Sequence, residues 1–332
     1  MNIYQKLKEK KQQIVITSHR SPDGDAIGSS LAFYHYLIKK GHEVSVIVPD
    51  AFPNFISWLE GVDEILTYEK EEEKVTELIN KATIIFSLDY NDLSRIGNMS
   101  KVVDEAKAYK AMIDHHLNPS DFCDWKMSDT TSCSTAQLIY EFIETENDLD
   151  LIDSKIAEGI YCGIVTDSGS FRFPSVQAKT HLIAADLINR GLNHASVHER
   201  LFDVNTLTKL HLLGFSLNEK LRVMETVPVA IIDLSIAETD KFKVKKGDTE
   251  GLVNFALSVE GVEMAVFIRE DTERVKMSFR SKGDIAVNEF SGKYFSGGGH
   301  KNAAGGMKED SLENTISYFE EKVVLFFEEM NK

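Results

Sequence analysis

Residues 14–25, Ile14-Val15-Ile16-Thr17-Ser18-His19-Arg20-Ser21-Pro22-Asp23-Gly24-Asp25, read as a short apolar strand running into a polar, turn-forming segment. Residues 26–40 then space their apolar side chains as an amphipathic helix does, and Gly41 closes it. Outward from this unit, residues 44–48 and 83–88 are two more short apolar runs, with a charge-rich helical stretch at 69–80 between them. Residues 110–113 form a further run leading into Asp114, and helices are expected at 134–144 and 154–166, with Ser134 and Asp153 or Ser154 as caps. Such alternation predicts parallel strands joined by right-handed crossovers. The expected fold is therefore α/β, an N-terminal doubly wound, mainly parallel sheet domain followed by a smaller C-terminal mixed-sheet α/β domain.

The second part is placed by a change of pattern. Residues 201–221 are leucine-rich at helical spacing and read as a connecting helix, whereas 227–234 begins a β-rich stretch. Residues 262–269 and 274–280 are two strands around a polar Glu-Asp-Thr-Glu turn, a hairpin signal. The chain then passes through Phe295-Ser-Gly-Gly-Gly-His300 into a helix from about Ser311. The expected division is 1–200, a connecting segment 201–226, and 227–332.

Composition narrows the function classes. The 332 residues suffice for two ordinary cores, and 42% hydrophobic content fits a globular protein. The first residues lack the apolar stretch of a signal peptide and no run approaches a membrane span, so a cytoplasmic location without membrane association is expected. Cys123, Cys133 and Cys162 are too few and too irregular for a disulfide framework or a zinc ribbon. A net charge of −16 argues against a protein that tracks long duplex nucleic acid, because such binding needs a broad basic surface. A small anionic substrate needs only a local positive site.

The chemistry-bearing residues fall in four segments: His19 with Asp23 and Asp25, then Asp89, then Asp114-His115-His116, then Asp167. Three directly follow predicted strands, so a parallel sheet would bring them to one edge, where open α/β sheets bind ligands. Oxygen ligands with imidazoles and no thiolate suit Mn²⁺ or Mg²⁺. Taken singly, each segment has a plainer reading: Asp-Gly-Asp is a common surface turn, Asp89 a loop or cap carboxylate, Asp167 part of a helix end. Arg20 and Arg95 lie near these positions, and Phe171 and Phe173 follow Asp167 as residues that stack on a base or pack in a core.

The four segments in this order, with the closing Gly297-Gly-Gly-His300-Lys-Asn-Ala-Ala-Gly305, resemble the DHH phosphoesterase superfamily with its DHHA1 C-terminal domain. The superfamily includes RecJ-type exonucleases, family II pyrophosphatases and NrnA-type proteins, and the short chain is similar to the last. The resemblance implies one metal at His19, Asp23 and Asp89 and a second at Asp25, Asp89, His115 and Asp167, with Asp89 bridging. It assigns His116 to the phosphoryl group or the departing 3′-oxygen and Asp114 to orienting a histidine. The cofactor expected is two Mn²⁺ ions, with Mg²⁺ as the alternative. Arg269, Arg280, Ser281, Gly298, Gly299 and His300 are expected to grip substrate. The implied reaction is hydrolysis of short RNA oligonucleotides to mononucleotides and of 3′-phosphoadenosine 5′-phosphate (pAp) to AMP, and the resemblance is compatible with a homodimer. The alternatives are a phosphodiesterase for pApA or cyclic-di-AMP, a pyrophosphatase, and a nucleotide sensor without turnover.

Overall fold

The computed structural model describes residues 2–245 and 247–330, which divide into two compact units with the break after Val204. The first unit runs α1 (Ile3–Glu9), β1 (Gln13–Thr17), α2 (Gly24–Lys39), β2 (Glu43–Val48), β3 (Leu66–Thr67), α3 (Tyr68–Lys81), β4 (Ile84–Leu88) and α4 (Ser100–Glu105). It continues through β5 (Tyr109–Asp114), β6 (Trp125–Ser128), α5 (Thr135–Thr145), α6 (Ser154–Asp167), α7 (Ala178–Asn189) and α8 (His194–Phe202). Its sheet is parallel throughout, in the order β3-β2-β1-β4-β5-β6.

Both faces are covered, which is why the strands read as unbroken apolar runs. Alternate side chains serve different cores: Ile14 and Ile16 of β1 and Ile84, Phe86 and Leu88 of β4 pack with α2, α5 and α6, whereas Val15 and Ile85 pack with α3 and α4. The order reverses between β1 and β4, since β2 and β3 lie to one side and β5 and β6 to the other. Loops leaving the carboxyl ends of β1 and β4 diverge there and leave a crevice. His19, Asp23 and Asp25 follow β1, and Asp89 follows β4, so the switch point places them together.

Local chemistry sets the helix ends. Asp23 caps α2, its Oδ1 accepting the Asp25 and Ala26 amides at 3.0 Å each. Asp25 therefore lies in the first helical turn rather than in the preceding loop. Ser134 caps α5 by accepting the Gln137 amide at 3.1 Å, and Asp153 caps α6 through Ile156 at 3.2 Å. The last turn of α2 is tied down by Asp148, whose Oδ2 accepts from the Tyr36 hydroxyl at 2.7 Å and the Lys40 ammonium at 2.5 Å. Burial raises the Asp148 carboxyl, but the bonds from Lys40 and Tyr36 outweigh it and leave it below its ordinary value. That stabilisation is complete above the ordinary carboxylate range and is lost as pH falls through the lowered value. Asp148→Asn should cost about 1–2 kcal/mol at neutral pH. Thermal unfolding of the two proteins should converge as the solution is acidified, and a constant gap would exclude this ion pair as the cause.

The second unit runs α9 (Leu207–Phe215), β7 (Arg222–Val223), β8 (Val229–Leu234), α10 (Ile236–Lys241), α11 (Leu252–Leu257), β9 (Met264–Glu270) and β10 (Val275–Ser281). It ends with α12 (Val287–Tyr294), β11 (Gly298–His300), β12 (Ala303–Lys308) and α13 (Leu312–Met330). Its sheet, β11-β12-β10-β9-β8-β7, is mixed, with β8 and β9 parallel and the other pairs antiparallel. The helix expected over 201–221 is interrupted at 203–206, where Thr206 caps a new helix by accepting the Lys209 amide at 3.1 Å. Leucine spacing carries across the break, but a hydroxyl at Thr206 competes locally with helix continuation.

Candidate metal centre

Two ligand groups share one carboxylate. One ligand atom from each of His19, Asp23 and Asp89 lies within 4.8 Å of the others, and the same holds for Asp25, Asp89 and His115. The two oxygens of Asp89 divide between them: Oδ2 is 3.3 Å from His19 Nε2, and Oδ1 is 3.6 Å from His115 Nε2. Asp167, the last residue of α6, adds its Oδ2 at 3.3 Å from His115 Nε2. The structure thus brings together all six side chains that the sequence nominates as metal ligands.

Backbone carbonyls orient both imidazoles. His19 Nδ1 is 2.7 Å from the Arg20 carbonyl and His115 Nδ1 is 3.2 Å from the Ser132 carbonyl, so each ring donates from Nδ1 and turns Nε2 toward the carboxylates. His116 is held differently. Asp114, fully buried at the end of β5, accepts from both its amide and its Nδ1 at 2.8 Å. That bond places the proton chemistry of His116 at Nε2.

The electrostatics are those of crowded carboxylates. Burial and the charges of Asp89, Asp167 and Asp23 push Asp25 well above the usual range. Asp167 is pushed up to about 7 by burial and by Asp23 and Asp89, against the opposing charge of His115. Asp89 is buried too, but His19, His116 and His115 outweigh burial and hold it below its usual value. For His19 burial works downward, and Asp89 and Asp23 overcome it and raise the ring to about 9. Among the described residues no lysine or arginine forms an ion pair with Asp23, Asp25, Asp89 or Asp167. Four carboxylates facing two Nε2 atoms, with no sulfur, lysine or arginine among them, form a donor set that fits hard divalent cations.

Left-handed backbone occurs at these places, as it does elsewhere in the chain. Asp89 has φ 62°, and Gly169, Ser170 and Phe171, just after Asp167, have φ 58°, 62° and 64°. Left-handed backbone costs a residue with a side chain about 1–2 kcal/mol, so it persists only where surroundings enforce it. Here the Ser168 hydroxyl accepts the Phe171 amide at 2.9 Å, and Phe171 lies flat on His181 with ring centres 5.2 Å apart. Phe171 is thereby committed to packing, while Phe173 lies beneath Gly169. Arg20 is exposed, its amide bonded to the Arg95 carbonyl at 2.8 Å.

The second unit separates its candidates. Arg280 and His300 both pair with Ala303, on β10 and β11 respectively, which puts the two on one face across β12. Arg269 shares the Arg280 face but pairs with Lys276, four residues along the strand and about 13 Å away. Ser281 is buried, its hydroxyl donating to the Ile285 carbonyl at 2.6 Å and accepting from Asn302 at 2.9 Å. The three glycines are unequal. A Cβ at Gly297 would fall inside contact distance of the Gly305 carbonyl and Ser291 hydroxyl, and one at Gly299 would meet the Ala303 carbonyl at 2.5 Å, whereas one at Gly298 meets nothing within 4 Å. Gly297 and Gly299 are thus required by packing, and Gly298 presents an open face.

Sequence reading missed Thr135, which touches both Asp25 and Asp89. The cap at Ser134 was legible, but what its helix faces was not.

Known proteins agree with this architecture. Residues 13–164 match the N-terminal domain of the DHH family, and residues 226–327 match the DHHA1 domain. The crystal structure of an exopolyphosphatase-related protein from Bacteroides fragilis superposes with a TM-score of 0.96 at 38% identity, over 99% of this chain and 96% of that one. The bifunctional oligoribonuclease and PAP phosphatase NrnA of Thermus thermophilus is 29% identical over 90% of this chain and 85% of its own. Its namesake in Bacillus subtilis is 28% identical over 88% of each. The chain belongs to the DHH family and carries a C-terminal DHHA1 domain. Among the described residues, no helix is long and apolar enough to cross a membrane.

Proposed function

We propose that this chain is a two-metal phosphoesterase that hydrolyses short RNA oligonucleotides to mononucleotides and removes the 3′-phosphate of pAp. The observation that carries the reading is Asp89, one carboxylate whose two oxygens belong to two adjacent ligand groups. His19, Asp23 and Asp89 would hold one ion, and Asp25, Asp89, His115 and Asp167 the other, with Mn²⁺ as the preferred metal and Mg²⁺ as the alternative. Bound there, such ions supply Lewis acidity and lower the pKa of an attacking water. His116, braced by Asp114, protonates the departing 3′-oxygen or steadies the phosphoryl group from Nε2. Both reactions break a bond to a 3′-linked phosphorus, so one site serves both. The relatives named for oligoribonuclease and PAP phosphatase activity support this substrate class.

Arg269, Arg280, Ser281, Gly298, Gly299 and His300 remain the substrate-binding candidates of the second unit; the shared face of Arg280 and His300 and the open space beside Gly298 support those three most. Gly298→Ala should leave thermal stability unchanged and raise KM for a dinucleotide about tenfold, the equivalent of one weakened hydrogen bond to phosphate. Gly297→Ala should instead lower the unfolding temperature. An unchanged KM in folded Gly298→Ala would remove that loop from substrate binding.

The deciding experiment is a timed Mn²⁺ digest of 5′-labelled RNA, from dinucleotides to long oligomers, beside pAp, cyclic-di-AMP and pyrophosphate. Rapid loss of the shortest oligomers with phosphate release from pAp is expected. Preference for the cyclic dinucleotide or pyrophosphate would overturn the substrate assignment, and turnover of none would favour a nucleotide sensor.

A further inference from the structure

We propose that Thr135 is the positioning residue that assigns Asp25 and Asp89 their separate places as ligands. The proposal rests on the two-metal reading above and concerns how this chain prepares its site before any ion arrives.

Thr135 is fully buried and opens α5, directly after the Ser134 cap. Its amide donates to Asp25 Oδ2 at 2.6 Å, and the next amide, of Ala136, donates to Asp25 Oδ1 at 2.9 Å. The first amides of a helix have no partner within the helix, so a carboxylate set across two of them is held in one plane. The Thr135 hydroxyl donates to Asp89 Oδ1 at 3.0 Å. One residue therefore fixes both carboxylates, although they reach the site from different elements, α2 and the loop after β4.

The consequence differs for each. On Asp25, Oδ1 is walled off: a Cβ added to Gly163 would stand 2.5 Å from it. Oδ2 faces His115, 4.0 Å away, and keeps one lone pair beyond the bond from the Thr135 amide. Asp25 is thus prepared to ligate through Oδ2 alone. On Asp89, the hydroxyl bond selects Oδ1 as the oxygen on the His115 side and leaves Oδ2 to the His19 side. Without it the carboxylate is free to rotate about its Cβ–Cγ bond, and a shared ligand needs one oxygen on each side.

Two variants separate this role from packing. Thr135→Val keeps the shape and both amide bonds and loses only the hydroxyl, whereas Thr135→Ser keeps the hydroxyl and loses a methyl. Mn²⁺ titration of the metal-stripped full-length chain, read by the electron paramagnetic resonance signal of free Mn²⁺, reports affinity without reference to turnover. Thr135→Val should weaken Mn²⁺ binding about 10–100-fold, the usual effect of losing a bond that orients a ligand. Thr135→Ser should bind close to wild type, and the Mn²⁺ concentration giving half-maximal pAp hydrolysis should shift in parallel. Unchanged Mn²⁺ binding in a folded Thr135→Val protein, or equal impairment of both variants, would overturn the proposal. Failure of the wild-type chain to bind two Mn²⁺ would instead sink the two-metal reading on which it stands.

Discussion

Asp89→Asn is expected to lower hydrolysis of pAp and of dinucleotides by roughly 10³-fold or more at saturating Mn²⁺, on the scale of removing a charge that acts directly at the reacting phosphoryl group. The fold should survive. Asp89 has φ 62°, a conformation that Asn tolerates about as well as Asp, and the amide oxygen can still accept from the Thr135 hydroxyl. What disappears is the negative charge that both ligand groups share. Loss of any other ligand should impair one group, whereas loss of Asp89 impairs two, so its effect should exceed that of Asp23→Asn. Steady-state rates beside far-ultraviolet circular dichroism and thermal unfolding check this. Wild-type turnover in the variant would end the bridging assignment.

The second large effect is structural and lies on the packing of α2 against α6. Gly24, Gly28 and Ala32 recur every four residues on α2, and Gly159 and Gly163 do so on α6, which gives α2 a ridge of glycines and one alanine methyl and α6 a ridge of glycines. A Cβ at Gly28 would meet the Gly159 carbonyl at 2.5 Å, and one at Gly159 would meet the Gly28 carbonyl at 2.8 Å. Backbone cannot yield as a flexible side chain does. Gly28→Ala and Gly163→Ala should each destabilise the first unit by about 1–3 kcal/mol or more, read from urea unfolding. Gly163→Ala should also weaken Mn²⁺ binding the more of the two, because its Cβ strikes Asp25 itself. Gly214→Ala is the control: that glycine lies within α9, its added Cβ meets nothing within 4 Å, and substitution should add about 0.5–1 kcal/mol. If Gly28→Ala unfolds like wild type, the helices are not held at backbone contact.

This packing has a chemical purpose. Asp25 stands in the first turn of α2 and Asp167 at the last residue of α6. Two helices that touch along their glycines bring those ends within reach of His115, where wider packing would leave the two carboxylates apart. The helix interface and the candidate metal site are one construction.

The sequence by itself determined the principal strands and helices, which depend on short-range pattern, and nominated the candidate ligands through motifs that resemble those of a known family. Apolar runs such as 14–18 and 83–88 had to be strands, and a polar side chain just beyond a parallel strand has to emerge at the carboxyl edge. Caps at Ser134 and Asp153 were legible because a cap is satisfied within a few residues. Tertiary structure alone decided which strands are neighbours, and hence that His19 and Asp89 meet at the reversal between β1 and β4. It also decided that Thr135 faces both carboxylates, that Gly298 rather than Gly297 has an open face, and that Arg269 stands a strand's length from Arg280. Each of these is a distance between segments far apart in the chain. Local periodicity shows which way a side chain points along its own element, and only the packing of one element on another fixes what it meets.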